Sequence, residues 1–113
     1  MRIPKADQAV VEPVKLHGYL LSATHSVGRF KAPVFLALGY TAEDWSRLEM
    51  DLRSQHLSRD ATLGERMSYG QKYEIRATLV GPSGRPADIV SAWIVRFGED
   101  FPRFVTAYPG GDR

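Results

Sequence analysis

The chain has 113 residues, which is enough for one domain around a single hydrophobic core and too few for two. Apolar residues make up 43% and charged residues 25%, a balance typical of a folded protein rather than a disordered one. The absence of cysteine excludes disulfides and thiolate metal sites, and a formal charge of +2 neither requires nor excludes a polyanionic partner.

The N-terminal sequence, Met1-Arg2-Ile3-Pro4-Lys5, lacks the apolar stretch of a signal peptide. No apolar run approaches the length of a membrane span, and no internal repeat or low-complexity segment interrupts the chain. We therefore expect a cytoplasmic protein, or a piece delivered by a larger machine, that does not contact a membrane.

Helical patterns occupy the first half of the chain. Apolar residues recur at helical spacing from Pro13, which suits the first turn of a helix, to about Leu21. A second helix is expected from Arg29 to Leu38, with Pro33 tolerated in its first turn and Gly39 closing it in a left-handed conformation.

The third helix has the clearest start signal. Thr41 followed by Asp44 resembles a capping box with an aspartate in place of the glutamate. Apolar residues then recur at helical spacing from Trp45 to about His56. The helical part of the chain is therefore expected over about 13–56.

The period changes to two in the second half, which indicates strands. One strand is expected near Arg66–Ser68, and stronger alternation marks Tyr73–Leu79, Asp88–Phe97 and Arg103–Tyr108. Short turns such as Gly81–Gly84 force successive strands to pair antiparallel.

These elements predict an α+β fold in one domain spanning 1–113. N-terminal helices would pack on one face of a C-terminal antiparallel β-meander of three to four strands, over about 66–109. The other face of the sheet would be open to water or to a ligand.

Two segments carry groups suited to phosphate chemistry. In the first, His25 in a loop precedes Gly28, Arg29 and Lys31 at a helix start, where amide hydrogens, the helix dipole and two cations attract anions. A histidine titrates near neutral pH and can transfer a proton to or from a bound oxygen. The alternative is a histidine that caps a loop beside two solvated cations.

The second segment is the last predicted strand. Alternation puts Phe104, Thr106 and Tyr108 on one face, and Val105 and Ala107 on the other. Two hydroxyls on one face suit the oxygens of a phosphate, although good strand propensity explains the same residues.

Other motifs mainly exclude chemistry. Arg76, on the polar face of its strand, is either a third phosphate ligand or a solvated arginine. The three histidines form no HxxxH-like pair, and the turn at Gly81–Gly84 has no following helix and so is not a phosphate-binding loop. No GxSxG elbow is present. We expect neither a metal nor a cofactor.

Together the two segments resemble a bacterial domain family of unknown function. The resemblance rests on Tyr19-Leu20-Leu21-Ser22, His25, Val27-Gly28-Arg29, Lys31-Ala32 and Val105-Thr106-Ala107-Tyr108-Pro109. The layout is similar to the barnase, EndoU, colicin and RelE group of ribonuclease folds, which serve in toxin–antitoxin pairs and polymorphic interbacterial toxins. The sequence departs from the commoner pattern at Pro33, where a helix former is expected.

The resemblance implies a small metal-independent endoribonuclease of the bacterial toxin type, which cleaves RNA by attack of the 2′-hydroxyl. Its partners would be RNA and a small antitoxin or immunity protein. The implied catalytic residues are His25, Lys31, Thr106 and Tyr108, with Arg29, Arg76 and Arg103 as RNA-binding residues. The competing interpretation is a non-catalytic protein-binding module, such as an antitoxin, an immunity protein or an adaptor, that uses the open sheet face or an edge strand.

Overall fold

The computed structural model describes residues 1–110, in which the helices precede the strands. A 3₁₀ turn at Ala6–Gln8 comes first, and α1 (Pro13–Lys15) continues into a π-helical turn at Leu16–Leu20. A second 3₁₀ turn at Gly28–Phe30 precedes α2 (Ala32–Ala37). The last helix, α3 (Trp45–Asp51), continues into a π-helical turn at Leu52–His56. The strands are β1 (Thr62–Met67), β2 (Gly70–Val80), β3 (Pro86–Arg96) and β4 (Pro102–Pro109). No helix within these residues has the length and apolar character needed to cross a bilayer.

Helix α2 begins at Ala32, three residues after the expected start at Arg29, since a 3₁₀ turn occupies Gly28–Phe30, but the other end signals act where the sequence predicted. Pro33 lies in the first turn of α2, where its missing amide hydrogen costs no helical hydrogen bond. Gly39 ends that helix with φ +99°, a backbone conformation that is unfavourable for residues other than glycine. The hydroxyl of Thr41 accepts a 3.1 Å hydrogen bond from the backbone N–H of Asp44 just before α3.

The four strands form one antiparallel meander in the order β1-β2-β3-β4, so each strand pairs with its neighbour in sequence. The predicted α+β fold, with N-terminal helices and a C-terminal meander, is confirmed. Strand β1 begins earlier than its sequence pattern indicated. Its register shifts between Leu63 and Arg66, and this irregularity breaks the alternation from which strands are recognised.

The hydrophobic core lies between the helices and one face of the sheet. Phe35, Leu48 and Leu52 from the helical half are fully buried there, together with Ile75 and Trp93 from the sheet. Burial of these apolar side chains is the main force that holds the helices on this face.

A β-bulge in β4 changes which residues share a face. Thr106 pairs with Ala92 while Phe104 pairs with the next residue of β3, Trp93, so Val105 is an extra residue. The prediction that Phe104 shares a face with Thr106 is therefore wrong, since Phe104 and Ala107 both enter the core. Thr106 and Tyr108 do share a face, on the side of the sheet away from the core.

This outer face of the sheet carries short rows of side chains that run across β2, β3 and β4. Successive rows lie two residues apart along β2 and β3, or roughly 7 Å, and the bulge adds one residue to the first step along β4. In order, the rows are Lys72/Ile94/Arg103, Glu74/Ala92/Thr106 and Arg76/Val90/Tyr108.

Candidate functional site

A lysine and two hydroxyls meet where the helical half touches β4. The ammonium of Lys31 donates a 2.6 Å hydrogen bond to the phenolic oxygen of Tyr19 and a 2.9 Å bond to Oγ1 of Thr106. The two hydroxyl oxygens lie 3.0 Å apart and share a hydrogen bond. We call these three residues the Tyr19–Lys31–Thr106 cluster.

Local backbone structure brings the cluster together from three separate segments. Tyr19 lies in the π-helical turn after α1, Lys31 lies between a 3₁₀ turn and α2, and Thr106 follows the bulge in β4. Gly28 permits this approach, because a side-chain carbon there would collide with the carbonyl oxygen of Tyr19. The loop that carries Lys31 can therefore pack directly against the turn that carries the tyrosine.

The cluster changes the acidity of its tyrosine. Partial burial acts to raise the pKa of Tyr19, but hydrogen bonds from Lys31 and Thr106, with the charges of Lys31 and Lys15, outweigh it and lower the pKa below the usual value of 10.0. The ammonium of Lys31 also lies 5.2 Å from the centre of the tyrosine ring. The phenolate is therefore easier to form here than in water.

His25 lies beside the cluster with one ring nitrogen fixed. Its Nδ1 accepts 3.0 Å hydrogen bonds from the backbone N–H groups of both Val27 and Gly28. A nitrogen that accepts two hydrogen bonds carries no hydrogen, so Nε2 is the donor nitrogen of the ring. The imidazole and the Tyr19 ring are nearly perpendicular, with 5.0 Å between the ring centres.

A cavity of about 530 Å³ opens beside the cluster. We call it the helix–strand cavity; its lining residues come from α1, its π-turn, the following loop and β4: Val14, Lys15, Gly18, Tyr19, His25, Val27, Val105 and Thr106. A pocket of this size accommodates a nucleotide-sized ligand. Two of the predicted catalytic residues, His25 and Thr106, line it directly, and Lys31 is hydrogen-bonded to its wall.

Tyr108 lies on the same sheet face as Thr106 but does not line this cavity. Its hydroxyl donates a 3.1 Å hydrogen bond to Glu74 on β2. Burial, followed by the hydrogen bond to Glu74 and its negative charge, raises the pKa of Tyr108. The hydroxyl is therefore directed towards a carboxylate, away from the lysine.

The three predicted RNA-binding arginines lie outside the helix–strand cavity. Arg76 is bound to Asp88, with a shortest distance of 2.6 Å, and Arg103 makes two 2.9 Å hydrogen bonds to Glu99. The guanidinium of Arg29 stacks on the exposed ring of Phe30, 4.5 Å from its centre. Arg103 lines a smaller cavity that shares Lys15 and Val105 with the helix–strand cavity.

Sequence reasoning missed Tyr19 as a site residue and assigned it to an apolar helical stripe. Its ring does sit among apolar groups, but its hydroxyl reaches two polar partners, as is usual for a tyrosine at the edge of a core. The available signal was a tyrosine one turn before a histidine loop. Its contact with Thr106, 87 residues away along the chain, is not visible in any local pattern.

A separate cavity of about 430 Å³ is lined by residues near the N-terminus and the end of α3, including Arg2, Asp7 and Arg53. None of the predicted site residues lines it. Arg53 is already bound to Glu49 and to the carbonyl of Ala9.

Comparison with solved structures identified a chain from a contact-dependent growth inhibition toxin–immunity protein complex of Klebsiella pneumoniae 342. The two chains are 19% identical with a TM-score of 0.58, and the match covers 95% of this chain and 97% of that chain. At this identity the likeness shows a shared fold, and the likeness to barnase and its relatives stays a prediction. No curated protein sequence matched the chain.

Comparison with protein families gave a match over residues 2–111, nearly the whole chain. The matching family is described as a domain of unknown function, DUF6883, which agrees with the kind of family expected from the sequence. The chain therefore belongs to the DUF6883 family.

Proposed function

We propose that this domain is a metal-independent endoribonuclease of the bacterial toxin type. One observation carries the proposal: a lysine ammonium is bonded to a tyrosine and a threonine hydroxyl beside a cavity that a histidine also lines. Such a group of positioned donors suits a phosphate that gains charge during a reaction. The shared fold with a component of a toxin–immunity protein complex supports the toxin class.

The proposed reaction is an intramolecular transesterification. The ribose 2′-oxygen forms a bond to the adjacent phosphorus, and the bond from phosphorus to the 5′-oxygen of the next nucleotide breaks. The products are a 2′,3′-cyclic phosphate and a 5′-hydroxyl. The 2′-hydroxyl must lose a proton and the leaving 5′-oxygen must gain one, so the site needs a base and an acid.

The Tyr19–Lys31 pair supplies both proton transfers in this proposal. Tyr19 acts as the base in its phenolate form, which its lowered pKa favours. The ammonium of Lys31 stabilises the negative charge on the pentacoordinate phosphorus and gives a proton to the leaving oxygen. A proton then passes from Tyr19 to Lys31 along their 2.6 Å hydrogen bond, which restores the starting state.

His25 has a different role in this proposal from the proton transfer expected from the sequence. Because its Nδ1 accepts two backbone hydrogen bonds, Nε2 carries the hydrogen and can donate a hydrogen bond to a phosphate oxygen. Thr106 orients a second oxygen. Tyr108, bonded to Glu74, shapes the sheet face next to the reacting group.

Incubation of the purified protein with RNA in EDTA tests this proposal. We expect fragments with cyclic phosphate and 5′-hydroxyl ends. Lys31→Met should lower the rate by about two to three orders of magnitude, the typical cost of losing one electrostatic donor. Lys5→Met is the matched control, since Lys5 is on the surface and pairs with Asp100 outside the cavity. Equal rates for parent and Lys31→Met, or cleavage only with added metal, would contradict the proposal.

The second candidate function is a non-catalytic partner protein, such as an immunity protein. The observation that favours it is that the structural neighbour comes from a complex holding both a toxin and an immunity protein. Strand β1 is also a sheet edge, with Leu63 62% exposed, where an added strand could pair. Expression in bacteria separates the two: a nuclease should stop growth and Lys31→Met should relieve it, whereas an immunity protein should be harmless.

A further inference from the structure

A second cavity on the outer sheet face adjoins the helix–strand cavity. It has a volume of about 180 Å³, and its polar lining groups are Glu12, Lys15, Tyr69, Lys72, Arg96 and Arg103. We call it the sheet-face cavity. Lys15 and Val105 line both cavities, so the two form neighbouring parts of one surface.

The sheet-face cavity is basic. Four of its lining side chains are cations and one is a carboxylate. The charge of Arg103 is neutralised by Glu99, but Lys15, Lys72 and Arg96 have no ion-pair partner within residues 1–110. Three unpaired cations around one small cavity make an attractive position for phosphate.

The row geometry of the sheet aligns this cavity with the reacting group. Lys72 and Arg103 flank Ile94 in one row, and Thr106 lies in the next row, roughly 7 Å further along the strands. That step is comparable to the separation of successive phosphates in an extended single strand.

The charges on the sheet face also set a direction. In the row of Thr106 the outer face carries Glu74, which accepts a hydrogen bond from Tyr108, and further along the strands the charge of Arg76 is neutralised by Asp88. The carboxylate of Glu74 disfavours a phosphate backbone on that side, and the neutralised Arg76 attracts one only weakly. A strand that leaves the Tyr19–Lys31–Thr106 cluster is therefore drawn towards Lys72 and away from Tyr108.

Tyr69 adds a surface for a base. Its side chain lines the sheet-face cavity, and the residue is 54% exposed, so part of the ring is accessible to solvent. Bases of single-stranded nucleic acids stack on exposed aromatic rings, whereas paired bases in a duplex are not free to do so.

We propose that the sheet-face cavity binds the phosphate backbone of single-stranded RNA next to the scissile nucleotide, with a base stacked on Tyr69. The inference deepens the proposed function, because it names the substrate as a single strand that spans both cavities. It also predicts that binding depends on groups that take no part in the bond-breaking step.

The test is the salt dependence of binding to a labelled 2′-O-methyl RNA of about ten nucleotides, a typical single-strand site size. This RNA has no free 2′-hydroxyl and cannot be cleaved by the proposed reaction. Lys72→Ala/Arg96→Ala should weaken binding and reduce the slope of log affinity against log salt by about 1.4, or roughly 0.7 for each lost phosphate contact. Arg59→Ala/Arg85→Ala removes the same charge outside the cavity and should leave the slope unchanged.

The aromatic part of the proposal has its own variant pair. Tyr69→Ala should weaken binding about tenfold through lost stacking. Phe97→Ala removes a neighbouring aromatic ring, 52% exposed and stacked under Arg66, and should not weaken binding. Equally tight binding of a duplex of the same length would contradict the single-strand assignment.

The outcomes separate this inference from the nuclease proposal. If RNA is never cleaved but the slope falls as expected, the sheet-face cavity binds nucleic acid and the proposed reaction is wrong. If RNA is cleaved but Lys72→Ala/Arg96→Ala binds with the slope of the parent, the subsite is wrong and the reaction stands. If the parent protein binds neither the single-stranded RNA nor the duplex, the subsite is also wrong.

Discussion

Two groups of three hydrogen-bonded side chains lie at different depths in this molecule. In the Tyr19–Lys31–Thr106 cluster, a nitrogen and two hydroxyls lie beside an open cavity. In the core, the hydroxyl of Ser91 lies 2.7 Å from Nδ1 of His56 and accepts a 2.9 Å hydrogen bond from the indole of Trp93. All three core residues are fully buried.

The two groups differ in function chiefly because one is accessible to solvent and the other is not. Burial chiefly lowers the pKa of His56, to about 4, with the charge of Arg59 acting in the same direction and the Ala77 backbone and Asp88 opposing it. The histidine is thus neutral at physiological pH and has no route to a ligand. A histidine or a hydroxyl can therefore be assigned a catalytic role only where a cavity gives a ligand access to it. The buried group instead stabilises the sheet.

Tyr19→Phe should give the largest effect, which should be on the cleavage rate and not on stability. The variant keeps the ring that contacts His25 but removes the proposed base, so the cleavage rate should fall by about two to four orders of magnitude. Tyr40→Phe is the matched control, because the Tyr40 hydroxyl donates a buried 2.6 Å hydrogen bond to Asp51. That control should lose stability in a urea titration and keep the parent rate. The reverse pattern would contradict the assignment of the open cluster.

Acid should expose the role of the core histidine. The folded pKa of about 4 lies below the usual value of 6.5, so the unfolded chain takes up the proton first as pH falls. The stability from a neutral His56 is complete above about pH 6.5 and is lost as pH falls towards 4, to a total of about 3 kcal/mol.

The free energy of unfolding, measured by urea titration at several pH values, tests this effect. His56→Gln should flatten the fall in stability over that pH range relative to the parent. The exposed His17 provides the control, and His17→Gln should keep the parent slope. Parallel curves for the parent and His56→Gln would show that His56 does not resist protonation.

Ser91→Ala should be the next largest change, on stability. It leaves the buried indole N–H of Trp93 without its acceptor and His56 without its partner, at a cost of about 2 kcal/mol. Cleavage at temperatures well below the midpoint of unfolding should match the parent. Ser46→Ala, at an exposed serine, is the control and should change stability very little.

These contrasts also separate what the sequence could predict from what it could not. Periodicity was sufficient for the order of helices and strands, because burial of one face imposes a repeat that local sequence must carry. Lys31 could be singled out as a candidate site residue because it is a cation at an expected helix start. The bulge at Val105 could not be predicted, since it depends on how β4 pairs with β3.

The position of Tyr19 shows the limit most clearly. An apolar stripe predicted where its ring would lie but not where its hydroxyl would point. The π-helical turn changes the helical phase locally, and the partners Lys31 and Thr106 come from other segments. Such a site is formed by contacts between distant segments, and these contacts cannot be predicted from the local patterns of a single sequence.

Tyr108→Phe should give the smallest effect, and it tests whether the final strand contributes one hydroxyl or two. Its hydroxyl donates to Glu74 at an exposed position, so its loss should change the cleavage rate by no more than about threefold. Thr106→Val, two residues earlier, removes a hydroxyl bonded to Lys31 and should have the larger effect. If Tyr108→Phe instead slows cleavage as much as Tyr19→Phe does, the tyrosine leaves Glu74 when RNA binds, and the pair of strand hydroxyls inferred from alternation acts as a unit.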